Sequence, residues 1–347
     1  MSRILVVTSS PPFAEGGHLV MARSLVTALT DAGHESSLMV LPQNRFGRHT
    51  STYLASWLAD VGMTHDGRAI DQVVSLRVPA YAVRHPAHVC WLNHRLREYY
   101  DLWPQLYMRL SWKGRVKERV RRRVIHAVDR HLLTRHVRKV FAISGTVQAR
   151  LKRFGGIRSE VLYPPPPQRA YRCDEYAGFF LAVSRLTPLK RIDLILRSLA
   201  QPAASGARLV VVGDGEEAGR LRALALELGV ADRVQFAGPV GTEGLVDLLA
   251  RCRAVCFSPY DEDYGFVTVE AFASGKAVVT CTDSGGPAEL VHDGREGLVC
   301  PPTPEAISQA LGVLSADRPL AERMGDAGRR AVEKLTWSEA VHRLLLV

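Results

Sequence analysis

Three clusters in the second half of this 347-residue chain could carry chemistry. The first is Ser184-Arg185-Leu186-Thr187-Pro188-Leu189-Lys190-Arg191, which follows the apolar run Phe179 to Val183. Arg185 and Lys190 sit five apart at an expected strand-to-helix turn. Two cations there suit a pyrophosphate, which arginine can hold through paired hydrogen bonds. The same residues also fit a solvated loop with scattered charge. The second cluster is Asp261-Glu262-Asp263-Tyr264-Gly265-Phe266-Val267-Thr268-Val269-Glu270-Ala271. Seven residues separate Glu262, in a loop, from Glu270, inside the helix that follows. Gly265 lets backbone N–H groups near the helix start approach a ligand. Carboxylates are good acceptors for paired sugar hydroxyls. Read blandly, Glu262 is surface charge and Glu270 a helical glutamate. Yet Glu270 lies in an otherwise apolar stretch, where an acid needs a partner or waits for a ligand. The third cluster is Ser284-Gly285-Gly286-Pro287-Ala288-Glu289, a glycine turn that reads as a weak phosphate cradle. Val212-Gly213-Asp214-Gly215-Glu216-Glu217-Ala218 mimics a dinucleotide fingerprint. It does not follow the first strand of a domain, and acids crowd where a pyrophosphate would lie.

These clusters need parallel strands behind them. Ile4 to Thr8 reads as a buried strand, followed by a Pro/Gly loop, a helix over Leu19 to Leu29 and a strand over Ser37 to Leu41. Residues 44–70 look irregular and polar, as a surface insertion would. Val73 to Val78, His88 to Leu92, Val140 to Ile143 and Val161 to Tyr163 are further strands, and Ser144 starts a helix. Residues 113–138 form one or two long basic helices. Val116, Val120, Val124 and Val128 recur every four residues and give one apolar side. Pro164 to Pro167 cannot be helix or central strand and marks a stiff linker. The second half repeats the alternation. Strands fall at 179–183, 209–212, 234–236, 255–257 and 278–280, and helices near 190–200, 216–228, 243–251, 266–274 and 304–315. Such alternation predicts two Rossmann-like, doubly wound parallel-sheet α/β domains. Sheets of this kind bind ligands at the carboxyl ends of their strands. The expected domains are 1–166 and 167–334, with 335–347 a last helix returning to the first.

Composition agrees with a soluble enzyme of two domains: 47% apolar and 23% charged residues over a length beyond one core. No apolar run approaches a membrane span, and the N-terminus is too short and abrupt for a signal peptide. The expected location is cytoplasmic, where the six cysteines would be free thiols. Charge is uneven. Residues 1–175 hold 27 Lys and Arg against 13 Asp and Glu; residues 176–347 hold 18 against 22. Residues 109–139 alone hold 12 basic residues and two acids, Glu118 and Asp129. That field attracts an anionic partner. Aromatic flanks at Tyr99, Tyr100, Trp103, Tyr107 and Trp112 favour a membrane surface, ahead of a plain solvated cationic face and then a phosphorylated acceptor. No readout motif points to nucleic acid.

The spacing of Glu262 and Glu270 within DEDYGFVTVEAFASGKAVV resembles the signature of retaining glycosyltransferases of family 4, the glycosyl transferases group 1, with the GT-B fold. PPFAEGG, SRLTPLKR, VVGDGEE, VQFAGPV and GGPAELVHDGREGL resemble that family's other blocks, in order, over most of residues 4–300. Asp263 stands where many members have glycine, and Thr268 where many have proline. YPPPP replaces the usual NGVD-like segment.

The resemblance implies two domains facing a central cleft. It implies that Arg185 and Lys190 hold the diphosphate of a GDP- or UDP-linked hexose, of mannose or glucose type. Glu262 would accept donor-sugar hydroxyls, with backbone N–H groups from Gly265, Phe266 and Val267. Glu270 would take the ribose, Gly238 and Val240 would flank the base, and Gly17 would approach the diphosphate. His94 resembles the family's active-site histidine. No metal and no further cofactor are implied, because the glutamate signature takes the register of the formal DxD at Asp261 to Asp263. The transfer would retain anomeric configuration, onto a glycan or lipid-linked acceptor at the inner face of a membrane that residues 109–139 would touch. The alternatives are a sugar-nucleotide epimerase or other GT-B enzyme, and a non-catalytic nucleotide-sugar-binding protein.

Overall fold

The computed structural model describes residues 1–13, 16–43 and 49–346. Ala14 and Glu15 of the PPFAEGG segment, and residues 44–48, lie outside the described residues. The chain forms two compact units, Met1–Pro164 with Thr336–Val347, and Pro165–Leu335.

In the first unit the order is β1 (Arg3–Ser10), α1 (Gly17–Asp31), β2 (Glu35–Pro42), α2 (His49–Leu58), β3 (Gln72–Ser75), β4 (His88–Leu92), α3 (Trp103–Arg109), α4 (Trp112–Arg135), β5 (Lys139–Ala142), α5 (Gly145–Arg153) and β6 (Glu160–Val161). The strands make one six-stranded sheet, ordered β2-β1-β3-β4-β5-β6. Every pairing is parallel. Parallel strands are covered on both faces, which is why β3 and β4 are buried throughout. Serine caps start two helices: Ser111 accepts from the Gly114 N–H of α4, and Ser144 from the Val147 N–H of α5.

One expectation fails here: residues 49–58 of the supposed irregular insertion are helix α2. The apolar side expected of α4 lies at the surface, with Val116, Val120 and Val124 more than half exposed and Val128 at 37%. The face that α4 buries carries Glu118, Ile125, Asp129, Leu132 and Leu133. Its acids are matched by hydroxyls: Tyr99 donates to Glu118 at 2.8 Å and Tyr100 to Asp129 at 2.6 Å. Tyr53 also donates to Asp129.

The second unit runs β7 (Phe179–Val183), α6 (Ile192–Leu199), β8 (Arg208–Val212), α7 (Ala218–Glu227), β9 (Val234–Gly238), α8 (Thr242–Arg251), β10 (Ala254–Cys256), α9 (Phe266–Ala273), β11 (Ala277–Cys281), α10 (Gly286–Leu290), β12 (Gly297–Cys300), α11 (Pro304–Ala316) and α12 (Arg318–Val332). Its sheet is ordered β12-β11-β10-β7-β8-β9, again parallel. The chain moves outward from β7 to β9, then restarts on the other side of β7 with β10. That reversal is a topological switch point, where loops diverge and leave a crevice.

The last helix, α13 (Trp337–Leu344), packs on the first unit. Trp337 meets the buried Trp91 edge to face at 6.1 Å, and Gln72 donates to the Leu344 carbonyl at 2.7 Å. All six cysteines are free. Among the described residues, no helix is long and apolar enough to cross a membrane.

Candidate active site

The switch point sets the site of the second unit. Arg185 and Lys190 follow β7, and Glu262 follows β10, the two strands on either side of the reversal. Two glycines bring the Arg185 loop in. A Cβ on Gly213 would lie 1.9 Å from the Ser184 carbonyl oxygen, and one on Gly215 2.3 Å from that of Leu186. The dinucleotide-like GDG turn is thus a seat for the Arg185 loop. Leu186 N–H bonds the Asp214 carbonyl at 2.9 Å. Arg185 itself is exposed.

Lys190 ends a short 3-10 turn, Pro188–Lys190. Its Nζ lies 2.6 Å from Glu262 Oε2, with both side chains about four-fifths buried. The ammonium also sits 5.6 Å from the centre of the Phe257 ring. Sequence reasoning gave these two residues separate ligands; in the structure they hold each other.

The loop that carries Glu262 is fixed by the GGP segment. Glu262 N–H donates to the Ser284 carbonyl and Gly286 N–H to the Glu262 carbonyl, both at 2.9 Å. A Cβ on Gly285 would approach the Glu262 carbonyl oxygen to 2.5 Å, and one on Gly286 the Tyr264 Cα to 2.5 Å. The supposed phosphate cradle is a backbone brace for Glu262. Gly265, at φ 82°, then starts α9 in the left-handed region. A Cβ there would strike the Phe257 ring and Pro287. Phe266 and Val267 form the first turn of α9, whose N–H groups have no acceptor within the helix.

Glu270 lies on α9, 5% exposed. It is bonded by the Arg169 guanidinium and, at 3.1 Å, by the Tyr171 hydroxyl. Burial pushes its carboxyl above the usual range, while Arg169 and Tyr171 pull it back. Sequence reasoning recognised that this acid needs a partner but not that Arg169, just past the proline run, supplies it. Gly238 closes β9 at φ 71° and accepts from Gly213 N–H at 2.8 Å; Val240 is half-buried just beyond.

A further residue was missed. Arg191 stands at φ 49°, a left-handed conformation that side chains rarely adopt. Its guanidinium bonds the Ser258 and Pro259 carbonyls at 2.8 Å each and both carboxylate oxygens of Asp283 at 2.7 and 2.8 Å. It ties the ends of β10 and β11 to the residue after Lys190. No sequence signal distinguished it from the neighbouring cations.

Gly17 and His94 belong to the other unit. Gly17 is the first residue of α1, just past β1. His94 follows β4, with Nδ1 2.7 Å from the Arg95 carbonyl. It lines a small pocket with Arg95, Arg97, Asp101 and Arg150. Asp101 lies 2.7 Å from Arg97 and 3.7 Å from Arg150. Among the described residues, no cluster of three or more His, Cys, Asp or Glu side chains could hold a metal ion.

A lysine and a carboxylate thus meet at the switch point of a doubly wound sheet, where such sheets bind ligands. Residues 169–331 match the family described as "Glycosyl transferases group 1". Over this segment, a little under half of its length, the chain is similar to the group 1 glycosyl transferases. Over 172 residues the chain is 36% identical to the D-inositol 3-phosphate glycosyltransferase of Streptomyces griseus, covering 46% of this chain and 36% of that protein. Over 192 residues it is 35% identical to the GDP-mannose-dependent alpha-(1-6)-phosphatidylinositol monomannoside mannosyltransferase of Mycobacterium tuberculosis, covering 51% of this chain and 49% of that one. The matches therefore span half or less of these curated relatives. Among solved structures, sucrose-phosphate synthase from Thermosynechococcus elongatus superposes with a TM-score of 0.79 at 19% identity, covering 99% of this chain and 98% of that one. WaaG, a glycosyltransferase involved in lipopolysaccharide biosynthesis, gives 0.72 at 16%, covering 99% and 100%. These likenesses identify the fold as GT-B.

Proposed function

We propose that this protein is a retaining, metal-independent glycosyltransferase that moves a hexose of mannose or glucose type from a GDP- or UDP-linked donor to a glycan or lipid-linked acceptor. The observation that carries the reading is the contact of Lys190 with Glu262 at the switch point, in the unit that is similar to the family. When a diphosphate arrives, Lys190 exchanges a carboxylate for phosphate oxygens, and Glu262 is left to accept the donor sugar's hydroxyls. Arg185 is exposed beside it and adds the second cation. Together they offset charge as the anomeric C–O bond breaks and the nucleoside diphosphate departs. Glu270, held by Arg169 and Tyr171, presents its free oxygen to the ribose hydroxyls. The first-turn N–H groups at Phe266 and Val267 face developing negative charge favourably. Gly238 and Val240 flank the base. On the same face of the sugar, the departing phosphate takes the acceptor's proton, so the protein's share is positioning and charge stabilisation.

The relatives named for inositol phosphate and phosphatidylinositol mannoside support a polar, phosphate-bearing or lipid-linked acceptor. The exposed valines of α4, with Trp112 and Met108 each 71% exposed among cationic residues, support contact of residues 109–139 with an anionic membrane surface. That would make the protein cytoplasmic and peripheral at the inner face. Nucleic acid has no role in this reading.

The test is thermal stabilisation by GDP, UDP, ADP and TDP, each alone and without metal. A nucleotide at a hundred times its dissociation constant should add about 2.7 kcal/mol. One diphosphate should raise the melting temperature, and Glu270→Ala and Arg185→Ala should each abolish the shift. No shift from folded protein with any of the four would remove the nucleotide site.

A further inference from the structure

The first unit carries a groove apart from the proposed nucleotide site, within the stretch that the proposed function sets against an anionic membrane. It is about 570 Å³ in volume and is lined by Trp103 and Tyr107 from α3 and by Arg119, Arg122, Arg123 and His126 from α4. The four α4 residues, at 119, 122, 123 and 126, are three, one and three apart, so they share one face of the helix. That face lies between the valine stripe and the buried seam.

The groove is built as well as charged. Arg122 donates its Nε–H to the Tyr99 carbonyl at 2.7 Å, and its guanidinium lies 5.0 Å from the Trp103 ring centre. Arg119 donates to the Tyr107 hydroxyl at 2.6 Å and lies 5.6 Å from that ring. His126 lies 2.8 Å from the Tyr99 carbonyl and stacks on Tyr100 at 4.2 Å. Every one of these partners is neutral. The two acids of α4 are committed elsewhere: Glu118 to Arg121 and Tyr99, and Asp129 beneath Tyr53 and Tyr100. Arg123 is exposed and has no ion pair among the described residues. Three arginines therefore line the groove with no carboxylate among its lining. Burial pushes Arg122 and His126 below their ordinary pKa values. Arginine forks match the tetrahedral oxygens of a phosphate, and aromatic walls restrict their rotamers.

We propose that this groove binds the phosphate of a phosphate ester, through Arg119, Arg122 and Arg123, with Trp103 and Tyr107 holding the guanidinium groups in place. The ester is either a lipid headgroup or a soluble phosphorylated compound, and the two sources share this chemistry. The site stands whether or not the transferase reading does, because none of its residues belongs to the nucleotide site.

The test uses the full chain and two probes at low salt. One is sn-glycerol 3-phosphate, followed by calorimetry against glycerol. The other is vesicles of phosphatidylcholine containing about a third phosphatidylglycerol, followed by sedimentation. The variant Arg119→Gln/Arg122→Gln/Arg123→Gln is set against Arg197→Gln/Arg208→Gln/Arg323→Gln, which removes the same charge from exposed positions of the second unit, outside both the groove and residues 109–139. Arg123→Gln alone guards against misfolding, since that side chain supports nothing. Losing a charge-assisted bond should weaken binding about tenfold or more. The groove triple should show that loss and Arg123→Gln a smaller one, while the control triple stays within about twofold. A loss with vesicles only assigns the site to lipid headgroups; a loss with glycerol phosphate extends it to free esters. Equal loss in the control triple, or no binding of either probe to the parent chain, overturns the proposal.

Discussion

Arg191 concentrates backbone and side-chain energetics at one position beside the candidate site. At φ 49° a residue with a Cβ pays about 1–2 kcal/mol relative to glycine. It is kept there by four hydrogen bonds, two to the carbonyls of Ser258 and Pro259 and two to Asp283. The ion pair adds little by itself, because Asp283 is one-third exposed and solvent screens it. The carbonyls matter more, since stranding a desolvated acceptor costs about 1–3 kcal/mol. Arg191→Ala keeps the backbone cost and loses all four bonds, so the second unit should weaken by about 2–4 kcal/mol. Arg191→Gly loses the same bonds but sheds the strain. It should be more stable than the alanine variant by about 1 kcal/mol, the reverse of the order in a helix interior.

Amide hydrogen exchange along β10 reports on the second unit alone and avoids treating two units as one transition. Donor affinity should fall in both variants, because Lys190 precedes Arg191 and Glu262 follows the strand end that Arg191 ties down. Arg191→Lys should not restore it, since an ammonium cannot span two carbonyls and a carboxylate together. If the glycine variant proves less stable than the alanine variant, the backbone is unstrained and the argument fails. If alanine costs less than about 0.5 kcal/mol, the guanidinium anchors nothing.

Other residues give sharper single outcomes. Arg169→Gln leaves Glu270 buried with only Tyr171, and breaking such a pair costs about 3–5 kcal/mol; urea unfolding at neutral pH should record the loss, and Glu270→Gln in the same background should recover part of it. Asp129 is fully buried, and burial raises its carboxyl above the ordinary value. The folded chain then holds a proton that the unfolded chain releases, so its contribution is full at low pH and is lost as pH rises through the raised value. Stability of the first unit should therefore fall with rising pH across that window, and Asp129→Asn should flatten the slope; an unchanged slope would show that Asp129 is not its source. Gly286→Ala would drive a Cβ to 2.5 Å from the Tyr264 Cα, so it should lower the melting temperature and abolish nucleotide stabilisation together, whereas Gly206→Ala, in open space, should do neither.

The strands were legible because parallel strands buried on both faces read as continuous apolar runs. His88–Leu92 and Phe179–Val183 agree with expectation to the residue. What failed had a local physical reason. Residues 49–58 fold as α2 although serine and threonine are indifferent helix formers, because tertiary packing buries His49, Thr52 and Ser56. Helix α12 went unassigned because it is polar and carries Gly325 and Gly328. Those glycines are packing devices: a Cβ on Gly325 would lie 1.9 Å from the Gly275 carbonyl oxygen, and one on Gly328 would strike Phe272. The valines of α4 were legible as an apolar stripe, but periodicity does not say which way a stripe faces; it faces solvent, and the buried face carries two tyrosine-bonded acids.

The site divides along the same line. Sequence pattern put Arg185, Lys190 and Glu262 after strands and Glu270 in the helix that follows, which is where the structure has them. It could not pair them. Lys190 meets Glu262 from 72 residues away, and Arg169 meets Glu270 from 101 away. Both pairings depend on β10 returning beside β7, a step that no local pattern contains. The consequence reaches binding energetics. A cation that already has a carboxylate gains from a phosphate only the difference between two partners, and the freed carboxylate must find hydroxyls in exchange. Nucleoside diphosphate alone supplies the first half of that exchange and the sugar the second. The intact nucleotide sugar should therefore bind more tightly than its diphosphate, and Glu262→Gln, which releases Lys190 in advance, should narrow the gap by strengthening the diphosphate and weakening the sugar's share.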